Sequence, residues 1–105
     1  MDERRSARDR DEPPTALPAT TDNRAASQFE LTIDGQTATL AYERRRGSLV
    51  LVHTEVPPSL RGHHLGDTLS QAAIDAARAE GLRVVAVCPF VKAYLRKRAR
   101  RDSST

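Results

Sequence analysis

The hydrophobic period changes at Pro57-Pro58, and that change limits the possible folds more than any other feature of the chain. Residues 49–69 read LVLVHTEVPPSLRGHHLGDTL. The first part is a nearly continuous apolar run. Proline cannot donate to a strand ladder, so the Pro-Pro pair ends it. A short basic loop with Gly62 and Gly66 follows, and from Leu65 onward apolar residues recur at helical spacing. A strand, a basic turn and a helix start together make a place where an anion can sit. The first N–H groups of a helix have no intrahelical partner and carry a favourable dipole. Arg61 adds a full charge, and glycine lets backbone approach a ligand without a Cβ in the way. A phosphate-bearing ligand at this turn is the first functional expectation.

The flanking segments fit around this junction. Residues 29–33 (FELTI) alternate apolar and polar, as a strand with one buried face does. Asp34-Gly35 signals a two-residue hairpin, in which both positions take positive φ. Residues 37–42 return with Ala38, Leu40 and Tyr42 on one face, and Gly47 closes a charged turn. Residues 49–54 suit a central strand buried on both faces. Beyond the loop, Leu65, Leu69, Ala72, Ala73, Ala76 and Ala77 share one helical stripe, and Gly81 stands where a C-cap glycine belongs. Residues 82–88 (LRVVAVC) form a further apolar strand. Strand, helix and strand make a crossover unit with the two strands parallel. Pro89 opens a last helix at its first position, with Phe90, Val91, Tyr94 and Leu95 as its apolar side. The expected fold class is α+β: an antiparallel meander plus a β-α-β crossover that gives one parallel strand pair, with two helices.

Residues 1–27 hold six acidic and five basic side chains, three prolines and almost nothing large and apolar. Such a segment cannot offset its ordering entropy, so it is expected to be a disordered charged tail. The ordered domain is placed at residues 28–98, and residues 99–105 are expected to be a flexible charged end. The tail has no apolar core of a secretory signal, no run approaches membrane-spanning length, and the default location is cytoplasmic. Cys88 is the single cysteine, so neither a disulfide framework nor a cysteine zinc site is available. Adjacent His63 and His64 diverge rather than converge, and no metal is expected. The arginine runs at residues 44–46 and 96–101 suggest nucleic acid. With two Tyr, two Phe and no Trp, however, the chain lacks a base-stacking platform, and solvated charge is the favoured account. Oligomeric state is left open by the exposed edges of so small a sheet.

The crevice at the carboxyl ends of parallel strands is where open sheets bind ligands. Here it is bordered by His53, Thr54, Glu55 and Val56 on one strand and by Val87, Cys88 and Pro89 on the other. His53 and Glu55 are two residues apart and share a face, which suits an acid/base pair and equally suits two solvated strand-end residues. Cys88 precedes a helix, where a thiol pKa falls and the nucleophilic thiolate is favoured. A free cysteine is also a common inert core residue.

HTEVPPSLRGHHLGDTL, followed by a helix and then VVAVCPFVKAYL, resembles the small GNAT-type N-acetyltransferase-like proteins. These are the minimal single-domain relatives of the GNAT acetyltransferases. The resemblance covers about residues 29–96 and implies acetyl-CoA as donor and an amine as acceptor, protein or small molecule. In that family a loop of the type Arg-x-x-Gly-x-Gly/Ala cradles the CoA pyrophosphate. Here Arg61, Gly62, His63, His64, Leu65, Gly66 and Asp67 occupy it. The resemblance further implies that the strand Val52–Val56, with Val52, Thr54 and Val56 as its donor-binding residues, lends backbone groups to the pantetheine arm, and that Cys88 lies near the thioester, as a relay or as packing. The sequence departs from the family at His64, where glycine is usual; a positive φ there would cost about 1 kcal/mol. It departs again after the last helix, where the family continues with a His-Pro-Glu-Tyr-like segment and this chain is basic. The expected function is a minimal N-acetyltransferase with His53 or Glu55 as base. The alternative is a non-catalytic CoA-binding or protein-interaction module.

Overall fold

The computed structural model describes residues 20–103. Five strands form one sheet in the order β1-β2-β3-β4-β5: β1 Thr21–Asn23, β2 Gln28–Ile33, β3 Gln36–Arg45, β4 Ser48–Glu55 and β5 Arg83–Ala86. A 3-10 turn, Pro58–Leu60, and helix α1, Leu65–Glu80, connect β4 to β5, and helix α2 runs from Pro89 to Ser103. The first four strands pair antiparallel, and β4 and β5 pair parallel. This is the expected meander and crossover. The Asp34-Gly35 turn has φ of 52° and 78°, as a two-residue hairpin requires.

One face of the sheet carries the core. Phe29 and Leu31 of β2, Ala38, Leu40 and Tyr42 of β3, and Leu49 and Leu51 of β4 pack with Leu65, Leu69, Ala73 and Ala77 of α1 and Val91 of α2 in a single buried cluster. Small side chains on α1 let it lie close to the strands. Each buried leucine contributes roughly 1.5–3 kcal/mol, and together they hold α1 across the sheet. Both helices lie on this face, so β4 is not buried on both sides as the apolar run suggested: Val50 and Val52 are half-buried and His53 is exposed. The α1 stripe is also rotated slightly from expectation. Ser70 and Ile74 are buried, while Ala72 and Ala76 are only partly so.

Two ends differ from the sequence reading. Residues 1–19 and 104–105 lie outside the described residues, but Thr21–Asn23, within the segment expected to be tail, form a strand paired to β2. Polar contacts hold it. Tyr42 donates to Asp22 at 2.6 Å, and Arg44 bonds both Asp22 at 3.0 Å and Glu80 at 2.7 Å, clasping β1, β3 and the end of α1 together. At the other end α2 continues to Ser103, through residues 99–103 that were expected to be flexible.

Candidate functional site

The parallel pair is short. Its ladder runs from Ser48↔Arg83 to Leu51↔Ala86 and stops there. The N–H groups of Val87 and Cys88 both donate to the Leu51 carbonyl, at 2.9 and 3.0 Å, as the chain turns away into α2. β4 continues to Glu55, so its last four residues have no strand partner on that side. A register shift opposite Ala41/Tyr42 places one extra residue, Val52, in β4. Such a bulge re-aims the side chains that follow it. Leu40 pairs with Thr54, which therefore points to the helix face, while Ala41 and Thr39 pair with His53 and Glu55 on the open face.

Beside the gap lies a cavity of about 450 Å³, lined by Thr54, Val56, Leu60, Arg61, Gly62, His64, Leu65, Gly66, Asp67, Phe90 and Lys97. It opens on the start of α1. His64 precedes the helix with φ 59°, ψ 31°, and no side chain caps it. The N–H groups of Leu65, Gly66 and Asp67 therefore lack partners from the helix itself. Gly62 has φ 92°, a backbone geometry that glycine adopts without strain. Arg61 is tethered to the end of β4 through a 3.4 Å bond from Nε to the Val56 carbonyl. A cation, a glycine bend and unsatisfied N–H groups thus converge on one hollow.

Of the residues singled out from the sequence, Thr54, Val56, Arg61, Gly62, His64, Leu65, Gly66 and Asp67 line this cavity. Val52 sits in the bulge and His63 is exposed; neither contributes to the lining. Cys88 is buried at the inner edge, 3.3 Å from the Thr54 hydroxyl. Burial pushes its thiol pKa up, but bonds from Thr54 and from the backbone at Val91, Phe90 and Thr54 outweigh this and leave it below the ordinary range. His53 and Glu55 do share a face, as expected, but it is the face away from the helices. Glu55 borders a separate hollow with Thr37, Thr39 and Arg61.

Three lining residues were not foreseen as site residues. Leu60 reaches the cavity from the 3-10 turn. Phe90 was assigned to the apolar side of the last helix, yet it is 43% exposed, with its ring against Gly66. Lys97 bonds Asp67 at 3.0 Å. Phe90 and Lys97 are seven residues apart, two helical turns on one side of α2, and that spacing is the signal that would have found them. Among the described residues no group of three or more His, Cys, Asp or Glu is placed to hold a metal, and no helix is long and apolar enough to cross a membrane. A family model described as GCN5-related N-acetyl-transferase matches residues 28–103. A search of curated proteins gave no match.

Proposed function

Because the chain belongs to the GCN5-related N-acetyl-transferase family, we propose that it transfers an acetyl group from acetyl-CoA to an amine. One observation carries this reading: the uncapped start of α1, with Arg61 and Gly62, opens directly onto the gap where β5 stops and β4 runs on. The residues fit the donor. N–H groups at Leu65, Gly66 and Asp67, with Arg61, suit a diphosphate. The unpaired edge of β4 beyond Leu51 offers main-chain groups to an extended amide-bearing arm, in the manner of an added strand. That arm leads toward Thr54 and Cys88, and the thioester belongs beside them.

The gap lies between the helix face and the open face, so donor and acceptor can approach from opposite sides. On the open face His53 or Glu55 takes a proton from the attacking amine. The amine nitrogen forms its bond to the acetyl carbon as the carbon–sulfur bond breaks, and CoA leaves as a thiolate that takes a proton from solvent, to which the base returns its own. Positioning and main-chain donors for the carbonyl oxygen supply most of the effect, so few catalytic side chains are needed.

The test is a thermal shift of the full chain with acetyl-CoA. At a hundredfold excess over Kd, a ligand bound only by the folded state adds about 2.7 kcal/mol. The shift is expected in the parent and lost in Arg61→Ala and in Gly66→Glu. Its absence at millimolar acetyl-CoA removes the donor reading. A shift without turnover against a panel of amines supports the binding module instead, whereas turnover reduced in His53→Ala or Glu55→Ala supports the enzyme.

A further inference from the structure

The hollow that Glu55 borders on the open face meets the cavity at α1. Val56 and Arg61 line both. Thr37 and Thr39 of β3, Glu55 of β4 and the Pro57-Pro58 pair enclose the rest of its volume of about 320 Å³. That is the lower end for a ligand site and suits a small molecule. Thr39 stands directly opposite Glu55 in the ladder, so its hydroxyl and the carboxylate rise from neighbouring backbone. Two features keep the shape. Proline fixes its own φ, which stiffens the wall at Pro57-Pro58. Ser59 donates to Gln36 and ties the 3-10 turn to the start of β3. The charges set this hollow apart. Glu55 and Arg61 both line it, yet they are too far apart to pair with each other, and among the described residues neither has another ion-pair partner. Arg61 is tethered through Nε, which among the described residues leaves the N–H groups on both terminal nitrogens free.

We infer that this hollow seats the acceptor, and that the acceptor is a free amino acid, an amine that carries a carboxylate of its own. The amine lies against Glu55 and the carboxylate on Arg61. The inference rests on the acetyl-transfer reading above and narrows it. Glu55 rather than His53 takes the proton of the amine, because His53 does not line the hollow. A carboxylate and a guanidinium that face one hollow without meeting leave room for a ligand bearing both opposite charges. Arginine presents a planar fork that matches carboxylate oxygens. With two terminal nitrogens, Arg61 serves the acceptor on one side and the diphosphate on the other, where the N–H groups at the start of α1 meet most of that charge. Other amines use the seat less fully. A lysine side chain of a protein brings an amine and methylenes, and a protein N-terminus brings an amide where the carboxylate belongs. Either leaves the guanidinium without its acceptor partner.

Release of CoA thiol by the full chain tests this at saturating acetyl-CoA. The acceptors are the common amino acids, each as the free acid and as its amide, and a lysine peptide blocked at both ends. The amide has the less basic amine, so a preference for the acid must come from the seat. For the best amino acid, kcat/KM is expected to exceed that of its amide about tenfold, as one charge-assisted contact to an exposed arginine allows. In Arg61→Gln the ratio of acid to amide should fall to about one, and a ratio is indifferent to weaker donor binding. Glu55→Gln should slow acid and amide alike and keep the ratio. Amides that turn over as well as acids overturn the seat and leave the acetyl-transfer reading intact. A preference that survives in Arg61→Gln overturns it too, since another group then reads the carboxylate. The blocked lysine peptide outrunning every free acid overturns it in favour of a protein acceptor. No turnover of any amine, with acetyl-CoA still raising the melting temperature, overturns the seat alone. No thermal shift with acetyl-CoA overturns the donor reading, and the seat with it.

Discussion

His64 is the clearest case of strain at a single residue. Its φ of 59° lies in the left-handed region, and its side chain caps nothing. His64→Gly should stabilise the fold by about 1 kcal/mol, a rise of roughly 4–8 °C in melting temperature for a domain of this size; a fall would mean the imidazole contributes a contact that outweighs the strain. Ser70 is a second case. It is fully buried on α1 and its hydroxyl has no hydrogen-bond partner among the described residues. Ser70→Ala is expected to leave stability unchanged or raise it by about 1 kcal/mol in a denaturant titration, whereas a loss would reveal a partner for that hydroxyl. Cys88 differs because its net shift is downward. Thiolate absorbance should titrate below the ordinary range of a free thiol, and Thr54→Val should move the midpoint up. Any stability gained from the thiolate is complete above the unfolded value and is lost as pH falls through the folded one.

Between elements, the contact of Gly66 with Phe90 couples the first turns of the two helices. Gly66→Ala should cost about 1–3 kcal/mol through crowding of the ring. The same change in a Phe90→Ala background should cost far less, and a double-mutant cycle with no coupling would exclude the contact. At the far end of α1, Glu80 is held below the ordinary carboxylate range chiefly by its hydrogen bond from Arg44, against the opposing effect of burial. A depressed carboxylate stabilises fully above its unfolded pKa and loses that contribution as pH falls through its folded value. Melting temperature followed downward from about pH 5 should therefore decline more steeply in the parent than in Glu80→Gln; parallel curves would remove Glu80 from the clasp. This clasp also explains why β1 was hidden in the sequence. Asp22 meets Tyr42 and Arg44, partners twenty or more residues away, and the strand itself has no apolar alternation to announce it.

For the molecule as a whole, the parts legible in the sequence were those governed by local rules. The change of period at Pro57-Pro58, the paired positive φ at Asp34-Gly35 and the left-handed Gly81 each depend on neighbours along the chain, and each stands where expected. The loop from Arg61 to Asp67 was legible for the same reason, since glycines, a cation and a helix start are all local. The bulge at Val52 was not, because one extra residue in an apolar run leaves no mark in composition. It decides which face Thr54, His53 and Glu55 occupy, so the split of the candidate residues between two faces had to come from strand pairing. The hollow on the open face was hidden likewise, since it depends on Thr39 of β3 lying opposite Glu55 of β4. The Leu51 carbonyl carries one last consequence. It accepts both Val87 and Cys88, so main-chain atoms set where the two strands part. Side chains that do not span the opening can therefore be exchanged without zipping the sheet shut.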